Sequence, residues 1–310
     1  MAQQYFLIKS IQNGTFQRNA STYTTNNSDT KKSGDVHGGG VIESSGRVTI
    51  EGGTFQANSA MKGGVIYLDV TGKLKITGGT FGAEALGNSA SYRGGVICIE
   101  DERTSTETIT IDGAQFKYNH VTNSAGVSGG VIYAGSNAKV NIGHIAACTF
   151  ENNKADCTGT ENSYGGVLYM TSATVNVKNT TLNHNSAKRG GAIYVAKDTS
   201  DLTVADTTCT DNTGTSFGKD IFLDAGKLTL SGLVKVQLDK RGQTIQIKGV
   251  LDAQSSIKVR QLSGSSTVIA EFDSEESMKR GETCITYFAY YGTVHQGKTL
   301  VFANNKATMK

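Results

Sequence analysis

The chain has no proline and no tryptophan in its 310 residues, yet it carries 38 glycines. Glycine without proline and without a three-residue period does not build a collagen-like helix. No run of about 18 apolar residues is present, so no segment is read as a membrane-spanning helix. No segment sustains an apolar period of 3.6 either, and almost no helix is expected. Net charge is only +3, with both signs scattered along the chain. A nucleic-acid binder gathers its basic residues on one face or arm, so no nucleic-acid partner is expected. The small pair Lys31 and Lys32 lies in a polar loop and reads as a solvated tip. The opening MAQQYFLIKSIQNGTF lacks the charged start and long apolar core of a secretory signal.

Signatures of site chemistry are equally sparse. The five histidines, His37, His120, His144, His184 and His295, stand alone, with no HxH or HExxH. The five cysteines show no CxxC or Cys/His spacing, so neither a metal nor another cofactor is expected. Cys98 and Cys209 stand where other copies of a repeat place an aromatic residue, and Cys148 and Cys157 are the pair that could bridge. Calcium-binding GGxGxD repeats are absent. The glycine pairs precede Val-Ile with no phosphate-cradling helix behind them, which disfavours nucleotide binding.

What is present is a repeat. KGGVIY at Lys62–Tyr67 returns as RGGVIC at Arg93, SGGVIY at Ser128, YGGVLY at Tyr164 and RGGAIY at Arg189. GGGVIE precedes them at Gly38, and a worn FGKDIF follows at Phe217. A second motif lies between the copies: GTFQRN from Gly14, GTFQAN from Gly53, AQFKYN from Ala114, CTFENN from Cys148 and TTLNHN from Thr180. A third, with strict apolar/polar alternation, includes RVTI from Arg47, KLKI from Lys73, KVNI from Lys139 and TVNV from Thr174. Alternation of this kind marks a strand with one buried side. Motifs that recur at intervals of roughly 24 to 36 residues are units of architecture. Each unit is read as three short strands, with extra residues such as NSASYR after Asn88 and KADCTGTENSY after Asn153 taken as loops. One coil cannot bury its apolar face alone, but a stack can. The expected fold is all-β, a parallel β-helix of three-strand coils and roughly ten rungs. Repeats occupy 1–232, and worn coils followed by a cap occupy 233–310 in the same stack. The N-terminus shows no equivalent cap, so the chain is read as a piece of something longer or as a stack whose first coil abuts a partner.

The paired GGVIY and TFQAN motifs resemble the GGA(I/L/V) and FxxN repeats of the polymorphic membrane proteins, the chlamydial surface autotransporters. The resemblance covers roughly residues 10 to 225. Five copies have Val where that family commonly has Ala, which only Ala192 keeps, and no C-terminal membrane barrel is visible. The resemblance implies a right-handed coil and a passenger at the cell surface or outside the cell, involved in adhesion.

Polysaccharide lyases and glycoside hydrolases use the same fold and are the alternative reading. Glycosidases need two carboxylates about 5 to 9.5 Å apart. The outward column Thr49, Lys75, Thr110, Asn141, Asn176, Thr203 and Thr229 contains no carboxylate. Asp69, Glu100, Asp101 and Glu102 cluster loosely after the first strand. The expectation is therefore a non-enzymatic protein with an adhesive or scaffold role. Its partner is another surface protein or a glycan, or further β-helix segments joined end to end or laterally. Tyr67, Tyr133, Tyr169 and Tyr194 recur at one place in successive coils and form the candidate partner-binding stripe, whether they face in or out. The long insertion 20–37 is the candidate display loop. Asn13, Asn19, Asn26 and Asn179 fit the glycosylation pattern, relevant only if the protein is eukaryotic and secreted.

Overall fold

The computed structural model describes residues 10–21, 38–288 and 294–310. The display-loop candidate falls almost entirely outside these residues, as do Asn26, Lys31 and Lys32. The described chain winds into a right-handed parallel β-helix, the hand that parallel crossovers adopt. All three motifs are strands, and each stacks on its own copy in the next coil. Ile66 pairs with Ile97, Ile97 with Ile132, Ile132 with Leu168 and Leu168 with Ile193. Thr49, Lys75, Thr110, Asn141, Asn176, Thr203 and Thr229 form one register column, as their alternation with buried Val48 and Ile50 requires. Phe16, Phe55, Phe81, Phe116 and Phe150 stack inside, with centroids 4.7–4.9 Å apart. That is the strand spacing itself.

The glycine pairs turn the chain into the first strand, and each glycine has its own reason. Gly129 has φ +70°, and a Cβ there would sit 2.2 Å from the Ile132 carbonyl oxygen. At Gly130 a Cβ would meet the Gly166 carbonyl oxygen of the next coil at 2.0 Å. The first glycine serves the turn, and the second serves the stacking.

The corner asparagines form a continuous ladder. The Asn58 side-chain amide donates to Asn88 Oδ1 at 2.9 Å and to the Phe16 carbonyl at 2.9 Å, and its backbone N–H also donates to Asn88 Oδ1. Asn88, Asn119, Asn153 and Asn185 repeat the pattern. Asn212 ends it on Asp220. Asn58, Asn88, Asn119, Asn153, Asn185 and Asn212 are all buried, so these bonds replace the water their amides lose. Between Phe81 and Asn88 the excursion Gly82–Gly87 leaves the coil and returns, and Asn88 takes its place in the ladder unshifted.

The structure corrects the three-strand unit. After each corner a short fourth strand follows, and these build a second, eight-stranded sheet. The segments read as loops supply it: Ser89–Arg93, Lys154–Cys157 and Ser163–Tyr164 are strands. Ala90, Val121, Val127, Ala155, Cys157 and Ala187 form its own small core. Cys148 belongs instead to the main core, so the Cys148–Cys157 bridge is not made; all five cysteines are free and buried.

A second departure is the helix Glu275–Cys284. The Ser274 hydroxyl accepts from the Ser277 N–H at 3.1 Å, and Glu275 and Glu276 occupy the first turn, where the helix dipole favours negative charge. Gly281 lets the helix lie against Phe272, whose ring a Cβ would meet at 2.3 Å. Beyond it, Leu300–Ala303 and Lys306–Met309 pair antiparallel, and the latter closes antiparallel onto Val268–Phe272. The apolar column Val195–Leu223 ends at Lys240, which is followed by Gln261. Lys240 is fully buried and donates to Gln261 Oε1 at 2.7 Å. Burial pulls its ammonium down to a pKa of about 8.

Two predictions follow from these contacts. Asn119→Ala removes the acceptor of two Asn88 donors and the donor to the Phe81 carbonyl, at about 1–3 kcal/mol for each group left unsatisfied. Urea denaturation should show a loss of about 3 kcal/mol or more, against little change for Asn141→Ser on the outer column. For Lys240, the folded state sheds its proton near pH 8 and the unfolded state near 10.5. Between those values the unfolded chain binds more protons, so stability rises with pH. Relative to Lys240→Met, the wild type should gain up to about 3 kcal/mol from pH 7 to 10.5, and a flat difference would remove the buried charge from the account.

Candidate functional site

Alternation places Ile132 in the main core and Tyr133 on the opposite side of the strand. The tyrosine column is therefore outside the barrel, yet it is not open. Tyr67, Tyr133 and Tyr194 are 8%, 3% and 5% exposed, and Tyr169 is half-buried. Cys98, in the same column, is fully buried. The cover comes from the residue just before each glycine pair. Lys62, Arg93, Ser128, Tyr164, Arg189 and Phe217 end successive strands of the second sheet and stack in register. The turn at the glycines folds this column over the tyrosines. Where it offers only Ser128, Arg93 leans across, its guanidinium 4.4 Å from the Tyr133 centroid. Tyr164 lies 6.0 Å from Tyr169 and 4.7 Å from Tyr194, and Tyr169 stacks between Tyr133 and Tyr194.

Carboxylates close the layer from the other side. Lys62 pairs with Glu100 at 2.6 Å, and Tyr67 donates to the same carboxylate at 2.6 Å. Arg93 pairs with Asp101 at 3.0 Å, and Tyr133 donates to Asp101 at 3.1 Å. Tyr194 donates to Asp224 at 2.6 Å, and Asp224 also holds Arg241. Burial favours protonation of Glu100, but its bonds from Lys62 and Tyr67 outweigh this and hold it below the usual carboxylate range. Burial and the neighbouring carboxylates push Tyr67 and Tyr194 well above the usual phenol range. Tyr133 rises likewise by burial, against Arg93, and Tyr169 reaches about 12. These shifts favour an ionised Glu100 and neutral phenols. A general acid needs a carboxyl raised toward neutrality, and Glu100 moves the other way.

One position breaks the pattern. Arg189 stands between the rings of Tyr164 and Phe217, at 5.9 and 5.6 Å, and no carboxylate pairs with it among the described residues. Its Nε is buried without a hydrogen-bond partner. The hydroxyls of Tyr164 and of Tyr169, whose ring packs edge-on against Tyr164, have no hydrogen-bond partner among the described residues either. Three polar groups without a partner thus fall between the coil that carries Asp101 and the one that carries Asp224. The repeat motif alone did not reveal this, because the covering column changes identity in every copy.

Residues 179–196 match the Chlamydia polymorphic membrane protein repeat. The matched segment includes the corner asparagine Asn185, Arg189 and Tyr194, and it is the copy that keeps Ala192. No curated protein and no solved structure matches the chain. Among the described residues, no helix is long and apolar enough to cross a membrane, and no cluster of His, Cys, Asp and Glu fits a metal ion. Of the glycosylation candidates, Asn13 is exposed. Asn19 spends its side-chain amide on Asn58 at 2.8 Å, and Asn179 donates to the Gly143 carbonyl at 3.2 Å.

Because the tyrosine rings are covered, Tyr133→Ser should behave as a core truncation. It should cost about 3 kcal/mol, read as a lowered urea midpoint; a shift below about 0.5 kcal/mol, the surface norm, would show that the cover opens freely.

Proposed function

We propose that this protein is a non-enzymatic, surface-displayed β-helical rod that adheres to acidic glycans through the patch formed by Arg189, Tyr164 and Tyr169. The observation that carries the reading is Arg189: the basic side chains Lys62, Arg93 and Arg241 along this face are neutralised by a carboxylate, and Arg189 is not. A guanidinium binds a carboxylate or sulfate through two parallel N–H bonds. Two free phenol hydroxyls and half-exposed rings add donors and an apolar platform for a sugar face. The stacked coils present this patch on a rigid flat wall, which suits an extended chain better than a small molecule in a pocket. The repeat match supports surface association through the family it names.

Calorimetric titration with oligosaccharides of polygalacturonate and of heparin tests the reading. Arg189→Ala should weaken binding at least tenfold while leaving the melting temperature within a few degrees, and Tyr169→Phe should weaken it less. Unchanged binding by Arg189→Ala would remove the patch from the account. Release of reducing ends or unsaturated products by the wild type would overturn the non-enzymatic reading in favour of a lyase or hydrolase.

A further inference from the structure

The second sheet stops before the barrel does. Its last strand, Thr213–Phe217, pairs with Ser186–Arg189 and with no other strand among the described residues. The main sheet continues past it, from Asp201–Thr210 to Lys227–Lys240, then to Ser256–Gln261 and Ile285–Tyr287. The sequence supplies the reason. In the worn copy FGKDIF, Lys219 replaces the second glycine, the one whose missing Cβ makes room for the next coil's carbonyl. Gly191 still needs that room, because the Lys219 carbonyl oxygen lies 2.2 Å from where its Cβ would be. Lys219 itself has no further strand of this sheet to clear. The free edge of Thr213–Phe217 therefore faces along the rod axis, in the direction in which the main sheet goes on stacking.

That arrangement leaves a ledge. A groove of about 240 Å³ is walled by Thr210 and Asp211 just before the last strand and by Lys219 and Asp220 just after it, and it is floored by Lys235, Gln237 and Lys258. It continues into a hollow of about 420 Å³ along Gln237, Lys258 and Tyr287. Lys235 and Gln237 flank buried Val236, so both point outward. Lys219, Lys235 and Lys258 have no carboxylate partner among the described residues. Asp220 does not offset them freely: its carboxylate accepts from Asn212 at 2.9 Å and from the Gln237 N–H at 2.6 Å.

An unpaired strand edge offers backbone donors and acceptors to another strand, and three unpaired lysines select for negative charge. We propose that the ledge receives an extended acidic segment of another polypeptide. The segment adds one strand to the edge of Thr213–Phe217 and sets its carboxylates against Lys219, Lys235 and Lys258. A glycan satisfies the lysines but not the strand edge, which is why a peptide is the occupant. This site is separate from the Arg189 patch and does not depend on it.

The test uses a fluorescein-labelled peptide of alternating Glu and Thr, and the same peptide N-methylated at alternate backbone nitrogens. Fluorescence anisotropy should show binding of the first peptide. Methylation should weaken it at least tenfold, as should the combined change of Lys219, Lys235 and Lys258 to Gln. Hydrogen exchange should show protection of the Thr213–Phe217 amides on adding the peptide. Equal binding of the methylated peptide would overturn strand addition. So would absence of binding, or protection of the ledge by a heparin oligosaccharide and not by the peptide. The methylation comparison requires no altered protein, so it stands even if the triple variant misfolds.

Discussion

Each corner asparagine from Asn58 to Asn185 passes two hydrogen bonds to the next coil and a third to a carbonyl of the coil before, and every other regularity of the rod follows from that handover. A buried amide left without partners destabilises the fold, so the coils can stack only where the next asparagine arrives at the same height. Once Asn88, Asn119 and Asn153 are in register, the phenylalanines three or more residues before them are stacked as well. The ladder thus aligns both the inner core and the outward columns. It ends where Asn212 meets Asp220, close to where the second sheet ends.

The outer face is built as a second, thinner layer. The barrel core is apolar until Lys240 and Gln261 enter it near its C-terminal end, but the tyrosines outside it are buried under charged and aromatic side chains that neutralise one another. Lys62 with Glu100 and Arg93 with Asp101 are partly sheltered pairs, each also holding a phenol. Such a layer gains its order from the ring faces and chain stems beneath the charges. It makes an unmatched charge stand out, and among the described residues of this layer Arg189 is unmatched.

Strand-level features were legible in the sequence because they depend on alternation within four residues, as in Val48-Thr49-Ile50, and because each motif repeats. The second sheet was not legible. Its strands Ser89–Arg93, Ser186–Arg189 and His120–Asn123 bury one apolar residue each, alanine in the first two and valine in the third, so the apolar signal is weak beside the polar residues around it. The Arg189 patch was invisible for a different reason. It is assembled from columns in neighbouring coils, and the covering residues Lys62, Ser128 and Tyr164 share no chemistry from copy to copy. The helix Glu275–Cys284 carried a readable start in Ser274-Glu275-Glu276, but its buried side includes Ser277 and Gly281, which leaves little apolar period to find.

The excursion Gly82–Gly87 shows how such a rod tolerates change. Residues are added between Phe81 and Asn88, and neither neighbouring coil moves out of register. Architecture and surface chemistry are then separately heritable: lengthening or shortening a connection rewrites one patch of the wall while the pitch of the coil stays constant. Divergence in such a protein accumulates in discrete parcels, one connection at a time, and leaves the frame that displays them unaltered.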